Sequence, residues 1–205
     1  MAPNTNIVIP WRDSGEPWRK KSCDLVAEHM KDYPFIFADD GKEPFSRSGS
    51  KNLGADACTD TVVMFLDSDT IIPHDQIDAA IDLARQGYVV HPYTNYVSVS
   101  RHETQAVFKK QLLPEQTNGE WTITWATGGA TVIPVDLFNQ IGRFDEGYTD
   151  WGFEDISLLI AAKRAGAEVK RIDGNCYHLW HPRTPDTPEI LAGAEKYRRE
   201  YLEEG

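Results

Sequence analysis

The chain alternates short, wholly apolar runs with longer stretches in which apolar residues recur every three or four positions. Residues 6–10 (NIVIP), 34–41 (PFIFADDG) and 61–70 (TVVMFLDSDT) are of the first kind. Apolar runs this short, without alternation, predict strands buried on both faces. Residues 14–30 read as a helix with Leu25, Val26 and Met30 apolar. Residues 72–87 form a clearer amphipathic helix, with Ile77, Ala80, Ile81 and Ala84 on one face and Gly87 after its end. Residues 88–100 predict a fourth strand. Residues 126–134 (ATGGATVIP) predict a Gly-led strand, and 135–142 a short helix with Asp136 as N-cap. A helix from Asp155 to Gly166, strand candidates at 168–173 and 175–181, and a charged helix near the C-terminus complete the pattern. Residues 46–60, small and polar, read as a loop entering a helix. Residues 101–125 show no regular period. The alternation predicts an α/β fold: a single domain with a mostly parallel central sheet flanked by helices.

Composition narrows the function classes. Hydrophobic residues make up 40% of the 205, as in a globular domain. The formal net charge of −11 repels phosphate backbones at long range and disfavours a general nucleic-acid-binding role. Cys23, Cys58 and Cys176 are scattered, odd in number and without CxxC spacing. Reduced thiols in a cytoplasmic setting are therefore expected, not a disulfide framework or a zinc cluster. The N-terminus lacks the basic-then-apolar pattern of a signal peptide, and no apolar run approaches the ~18–20 residues of a membrane helix.

The candidate chemistry gathers where strands end. In a mostly parallel α/β sheet, ligands bind at the carboxyl ends of the strands. Those ends carry Pro10, Trp11, Arg12 and Asp13; Asp39 and Asp40; and Asp67, Ser68 and Asp69. A rim with so many carboxylates repels itself, and a divalent ion held by oxygen ligands would relieve it. Extended backbone through Asp-Ser-Asp would let both acids face one site. The competing reading is a solvated turn that caps the next helix. The segment Trp151-Gly-Phe153-Glu154-Asp155 places adjacent acids behind aromatic residues at a helix start. Those acids could serve the helix dipole alone. Equally, aromatic faces stack on sugar C–H faces, and a neighbouring carboxylate can accept a hydroxyl proton. His178 and His181 sit close together near a strand end, as structural residues or as ligands.

The order of the segments IPWR, FSRSGSKNLGADA, FLDSDTIIP, TGGATVIP, GRFDEGYTDWGFEDISL and HLWH resembles glycosyltransferases of the GT-A fold. It is closest to the inverting family 2 enzymes and the β-1,4-galactosyltransferase-like C-terminal domains, over about residues 6–183. The resemblance implies a GT-A domain over 1–183, its nucleotide-sugar half about 1–100 and its acceptor and catalytic half about 101–183. Residues 184–205 would follow as a helical tail. Pro10, Trp11 and Arg12 would flank the uridine and diphosphate of a UDP-sugar, and Asp39 or Asp40 would meet the base. Arg47 and Lys51 would contact the nucleotide. Asp67, with Ser68 beside it, would reach the ribose or the metal's water shell, and Asp69 would bind a divalent metal, Mn²⁺ or Mg²⁺, with His178 and His181. Gly128, Gly129, Trp151, Gly152, Phe153 and Glu154 would form the sugar and acceptor side, and Asp155 would be the catalytic base. The stretch 101–125 has no counterpart in the resemblance. The acceptor, whether glycan, lipid-linked sugar, protein or modified nucleobase, therefore stays open.

Other readings compete. FLDSDT also fits the nucleophile motif of haloacid-dehalogenase-like phosphatases, although it lies third in strand order and leaves WGFED and HLWH unexplained. A nucleotidyltransferase on a similar fold and a non-catalytic nucleotide-sugar-binding module are the remaining alternatives.

Overall fold

The computed structural model describes residues 7–148, 152–183 and 187–202. Its strands are β1 (Ile7–Pro10), β2 (Phe35–Ala38), β3 (Val62–Leu66), β4 (Thr70–Ile71), β5 (Val89–His91), β6 (Asn95–Ser98), β7 (Trp121–Thr124), β8 (Ala130–Pro134), β9 (Val169–Arg171) and β10 (Asn175–His178). Its helices are α1 (Pro17–His29), α2 (Arg47–Asp56), α3 (His74–Arg85), α4 (Arg101–Phe108), α5 (Val135–Gln140), α6 (Glu154–Arg164) and α7 (Pro188–Tyr201).

A six-stranded sheet runs in the order β2-β1-β3-β8-β5-β9. β8 alone is reversed, antiparallel to β3 and β5; the other pairings are parallel. The apolar runs of β1 and β3 are explained by burial on both faces; β2, expected to be buried likewise, is the sheet's edge, with Phe35 and Ile36 half-buried and Phe37 46% exposed. Ile7, Ile9, Met64, Leu66 and Val132 pack on one side with Val26 of α1, Met30 just after it, and Ile77, Ala80 and Ala84 of α3. Val8, Val63, Phe65 and Ile133 pack on the other with Ala55 of α2, Phe138 of α5, and Leu158 and Ala162 of α6.

Four further sequence expectations need correction. Residues 47–56 are not loop but helix α2, capped by Ser46, whose Oγ accepts from the Gly49 amide. A Cβ on Gly54 would stand 2.3 Å from Val8 Cγ1, so glycine here lets the helix lie directly on β1. The fourth strand candidate is two strands, β5 and β6, which belong to different sheets. The stretch 101–125 holds α4, with a capping box between Ser100 and Glu103, and β7. Asp136 is not the N-cap of α5: Pro134 holds that place and Asp136 sits in the first turn.

A second sheet, β4-β10-β6-β7, was not foreseen. β10 is parallel to β6, and β4 and β7 flank them antiparallel. Its register places Thr70, Ser98, Tyr96, His178, Trp121 and Ile123 on one face, because paired residues and their i±2 neighbours share a side.

Candidate active site

Three groups of charged side chains lie beyond the strand ends. The first joins β1 and β2. Pro10 ends β1 buried, and the Trp11 amide donates to Ala38 O at 2.9 Å. Arg12 donates through Nε to Asp39 Oδ2 at 2.9 Å and pairs again through Nη2 with Asp39 Oδ1. It also reaches Glu43 at 3.0 Å and lies 3.8 Å from Asp40. Asp40 is nearly enclosed, and its Oδ2 has no hydrogen-bond partner. Asp13 is spent on a local turn, accepting from the Gly15 amide.

The second group is a buried network between α2 and α6. Arg47 pairs with Asp67 at 3.0 Å. Lys51 Nζ lies 2.8 Å from Asp155 Oδ1, 3.5 Å from Glu154 and 3.9 Å from Asp67. α6 begins after Gly152 and Phe153, both left-handed at φ 104° and 70°. That turn swings both acids inward, where the Gly152 amide donates to Glu154 Oε2. Phe153 is not glycine, and its backbone is strained. It is held by stacking on Tyr197 of α7, with ring centroids 5.2 Å apart.

The two acids are driven apart in proton affinity. Burial pushes Asp155 up to about 6 against the pull of Lys51, with Glu154 and Asp67 adding to the rise. For Glu154, burial works in the same direction, but Lys51 and Arg47 outweigh it and hold the carboxyl below its ordinary value. The Arg47 guanidinium is raised by Asp67 above all, and Lys51 stays charged because Asp155 and Glu154 overcome its burial. A pair of carboxyls so separated suits a division between charge stabilisation and proton transfer.

The third group joins β4, β10 and the segment after it. His181 Nε2 lies 3.2 Å and His178 Nε2 3.7 Å from Asp69 Oδ2. Among the described residues this trio is the one cluster of His, Cys, Asp or Glu whose ligand atoms all lie within 4.8 Å of one another. The two imidazoles outweigh burial and hold the Asp69 carboxyl well below its ordinary value; the Asp69 charge in turn outweighs burial and raises His178. Two imidazole nitrogens and a carboxylate oxygen form a donor set that fits a borderline divalent ion.

Asp-Ser-Asp does not stay extended, contrary to expectation. The Thr70 amide donates back to Asp67 O at 3.2 Å, closing a turn. Asp67 therefore faces Arg47 and Lys51 while Asp69 faces the histidines. Nor do the carboxylates share one rim in need of a cation: Arg12, Arg47 and Lys51 already neutralise much of it. The floor between the groups is the Gly128-Gly129 segment. Gly129 O accepts from the Asp67 amide at 2.9 Å, and a Cβ on Gly128 would lie 3.4 Å from Asp155 Oδ2. Trp151 lies outside the described residues. Tyr96 was missed from the sequence: its ring stacks on His178 at 5.5 Å and 26°. The alternation in TNYVSVS was the available signal, since it puts Tyr96 and Ser98 on one face.

The fold is that of the GT-A glycosyltransferases. The chain belongs to the glycosyltransferase-like family 2, whose model matches residues 6–179. Among solved structures it is similar to Drosophila β1,4-galactosyltransferase 7 in a mutant complexed with manganese, UDP-Gal and xylobiose. That likeness has a TM-score of 0.57 and 14% identity, over 93% of this chain and 79% of that one. It is similar to the mannosyltransferase PcManGT from Pyrobaculum calidifontis, in complex with GDP-Man and Mn²⁺, with a TM-score of 0.54 and 15% identity over 89% of this chain and 59% of that one. It is also similar to GalNAc-T7 with UDP, GalNAc and Mn²⁺, with a TM-score of 0.59 and 12% identity over 96% of this chain and 48% of that one. Among curated proteins none matches. No helix among the described residues is long and apolar enough to cross a membrane.

Proposed function

We propose that the chain is a metal-dependent, inverting glycosyltransferase that moves a hexose or N-acetylhexosamine from a UDP-sugar to an acceptor hydroxyl. One observation carries this reading: the turn at Asp67-Ser68-Asp69 joins the two chemically distinct clusters. Asp67 shares Lys51 with Asp155, and two residues later Asp69 meets His178 and His181.

Asp69, His178 and His181 would hold Mn²⁺ or Mg²⁺, which when bound supplies positive charge toward the departing diphosphate. Asp155 accepts the proton of the acceptor hydroxyl as its oxygen bonds to the anomeric carbon. The bond from that carbon to the diphosphate oxygen breaks, and its electron pair leaves with UDP. One displacement from the opposite face inverts the anomeric configuration. Glu154 stays ionised beside Lys51 and would accept from sugar hydroxyls. Arg47 and Lys51 keep Asp67 oriented toward the ribose side, and Arg12 with Asp39 and Asp40 frames the nucleotide end. The three thiols, none in a disulfide, suit a reducing, cytoplasmic setting.

The test is UDP release from UDP-Glc, UDP-Gal, UDP-GlcNAc and UDP-GalNAc with Mn²⁺, with and without saccharide acceptors. Acceptor-stimulated release of UDP with one donor is expected. Binding of the same donors by calorimetry with no UDP released from any of them would establish the non-catalytic module instead.

A further inference from the structure

β7 is a sheet edge with an unusual surface. All four of its residues are exposed, among them Trp121 at 50% and Ile123 at 47%, and Trp125 just after it is 68% exposed. An uncovered edge strand bearing large apolar side chains is a liability unless something binds there. This stretch is also the part of the sequence that the family resemblance did not reach.

The surface is continuous with the site. Trp121 and Ile123 lie on the same sheet face as Tyr96 and His178. The Trp121 and Tyr96 rings are nearly parallel, at 20° and 6.3 Å, and Tyr96 in turn stacks on His178. A row of flat rings thus leads from the edge strand to the Asp69 cluster. At the other end Trp125 precedes Gly128, which faces Asp155, by three residues, a chain reach of at most about 11 Å. That connection is fixed: Tyr93 Oη donates to Ala126 O and Gly128 O, Arg171 Nη2 donates to Ala126 O at 2.7 Å, and the Arg171 guanidinium lies over the Trp125 ring at 5.2 Å.

We propose that Trp121, Ile123 and Trp125 form the acceptor platform and that the acceptor is an oligosaccharide, its rings stacked on the two indoles and one hydroxyl delivered to Asp155. Flat aromatic faces with polar edges bind the apolar C–H faces of pyranose rings while leaving ring hydroxyls free. The net charge of −11 argues against a nucleic acid stacking on the same rings. This deepens the glycosyltransferase reading and rests on it for the chemistry.

The experiment is a titration of intrinsic Trp fluorescence with xylobiose, cellobiose, chitobiose and lactose, in the presence of Mn²⁺ and UDP. It is run on the wild type, Trp121→Ala, Trp125→Ala, the double variant and Trp121→Phe. A saturable change with at least one disaccharide is expected, weakened about tenfold in each single Ala variant and largely retained in W121F. In turnover, the same Ala variants raise the KM for that acceptor about tenfold, and W121F keeps it close to the wild-type value. Unaltered saccharide binding in the double variant overturns the proposal. So does the absence of binding by any of the four sugars, or a concentration-dependent dimer in sedimentation that W121A abolishes. Saccharide binding that depends on Trp121, with no UDP released from any donor, would instead sink the transferase reading and leave the platform standing.

Discussion

Lys51 Nζ lies 2.8 Å from Asp155 Oδ1, tying the middle of α2 to the first turn of α6. The contact binds α2 to the residue proposed as base. Lys51 stands among three carboxylates, so its charge sets how easily Asp155 gives up its proton.

The pH dependence follows with a definite sign. As a base Asp155 must be ionised, so kcat/KM should rise with an acid limb near pH 6. Lys51 stabilises the ionised form, and its removal should move the limb to higher pH. Lys51→Met would also leave buried acids uncompensated, at a cost of about 3–5 kcal/mol, so Lys51→Arg is the folded control, with a limb closer to wild type. A pH–rate profile of all three proteins checks this; an unmoved limb in K51M would separate Lys51 from the base. For stability, the raised value of Asp155 means that its contribution is greatest below the unfolded carboxyl range and is lost as pH rises through about 6. Glu154, held low, contributes in the opposite direction.

Asp155→Asn keeps the shape of the side chain and removes the base. Transfer should fall about 10²–10⁴-fold, while calorimetry shows UDP and Mn²⁺ bound much as in wild type. Loss of nucleotide binding would place Asp155 in donor recognition instead.

Asp69→Ala and His181→Ala each take one donor from the proposed metal set. UDP binding enhanced by Mn²⁺ should weaken about 10–100-fold in both, with metal-free UDP binding little changed. An unaltered response to Mn²⁺ in the two variants would move the metal elsewhere.

Gly54→Ala adds a methyl group where Val8 already stands 2.3 Å from the new Cβ. Overpacking of this kind costs about 1–3 kcal/mol, which for this chain length lowers Tm by about 2–4 °C per kcal/mol. Because α2 carries Arg47 and Lys51, transfer should fall alongside Tm. Calorimetric melting and UDP release, measured together, test the link.

The buried strands were legible because burial on both faces writes itself as an unbroken apolar run. α3 was legible because only one face is buried. α2 was hidden by its composition: Gly49 and Gly54 are poor helix formers, but a Cβ at Gly49 would press to 2.7 Å of Asp40 Oδ2 and one at Gly54 would strike Val8. Packing overrode propensity there. The Ser100–Glu103 capping box stood in the sequence and would have announced α4. The charged and histidine side chains that cluster beyond the strand ends were legible by type and order; their partition into three groups was not. That Asp67 turns to two cations and Asp69 to two histidines depends on a turn whose closing bond, Thr70 N–H to Asp67 O, leaves no mark in the pattern.

The reversed strand β8 has a consequence for how accurately the site can be kept. Leu66 pairs with Ala130 and Phe65 with Thr131, and the next rung of that ladder is the bond from the Asp67 amide to Gly129 O. The floor of the proposed site is thus the last rung of the central sheet. A slip of one residue between β3 and β8 would exchange the sheet's two faces, so no small slip is available. Loosening the floor means opening the sheet itself. The Asp67 amide should therefore exchange with solvent as slowly as the interior amides of β3, a protection that hydrogen-exchange mass spectrometry or NMR reads directly.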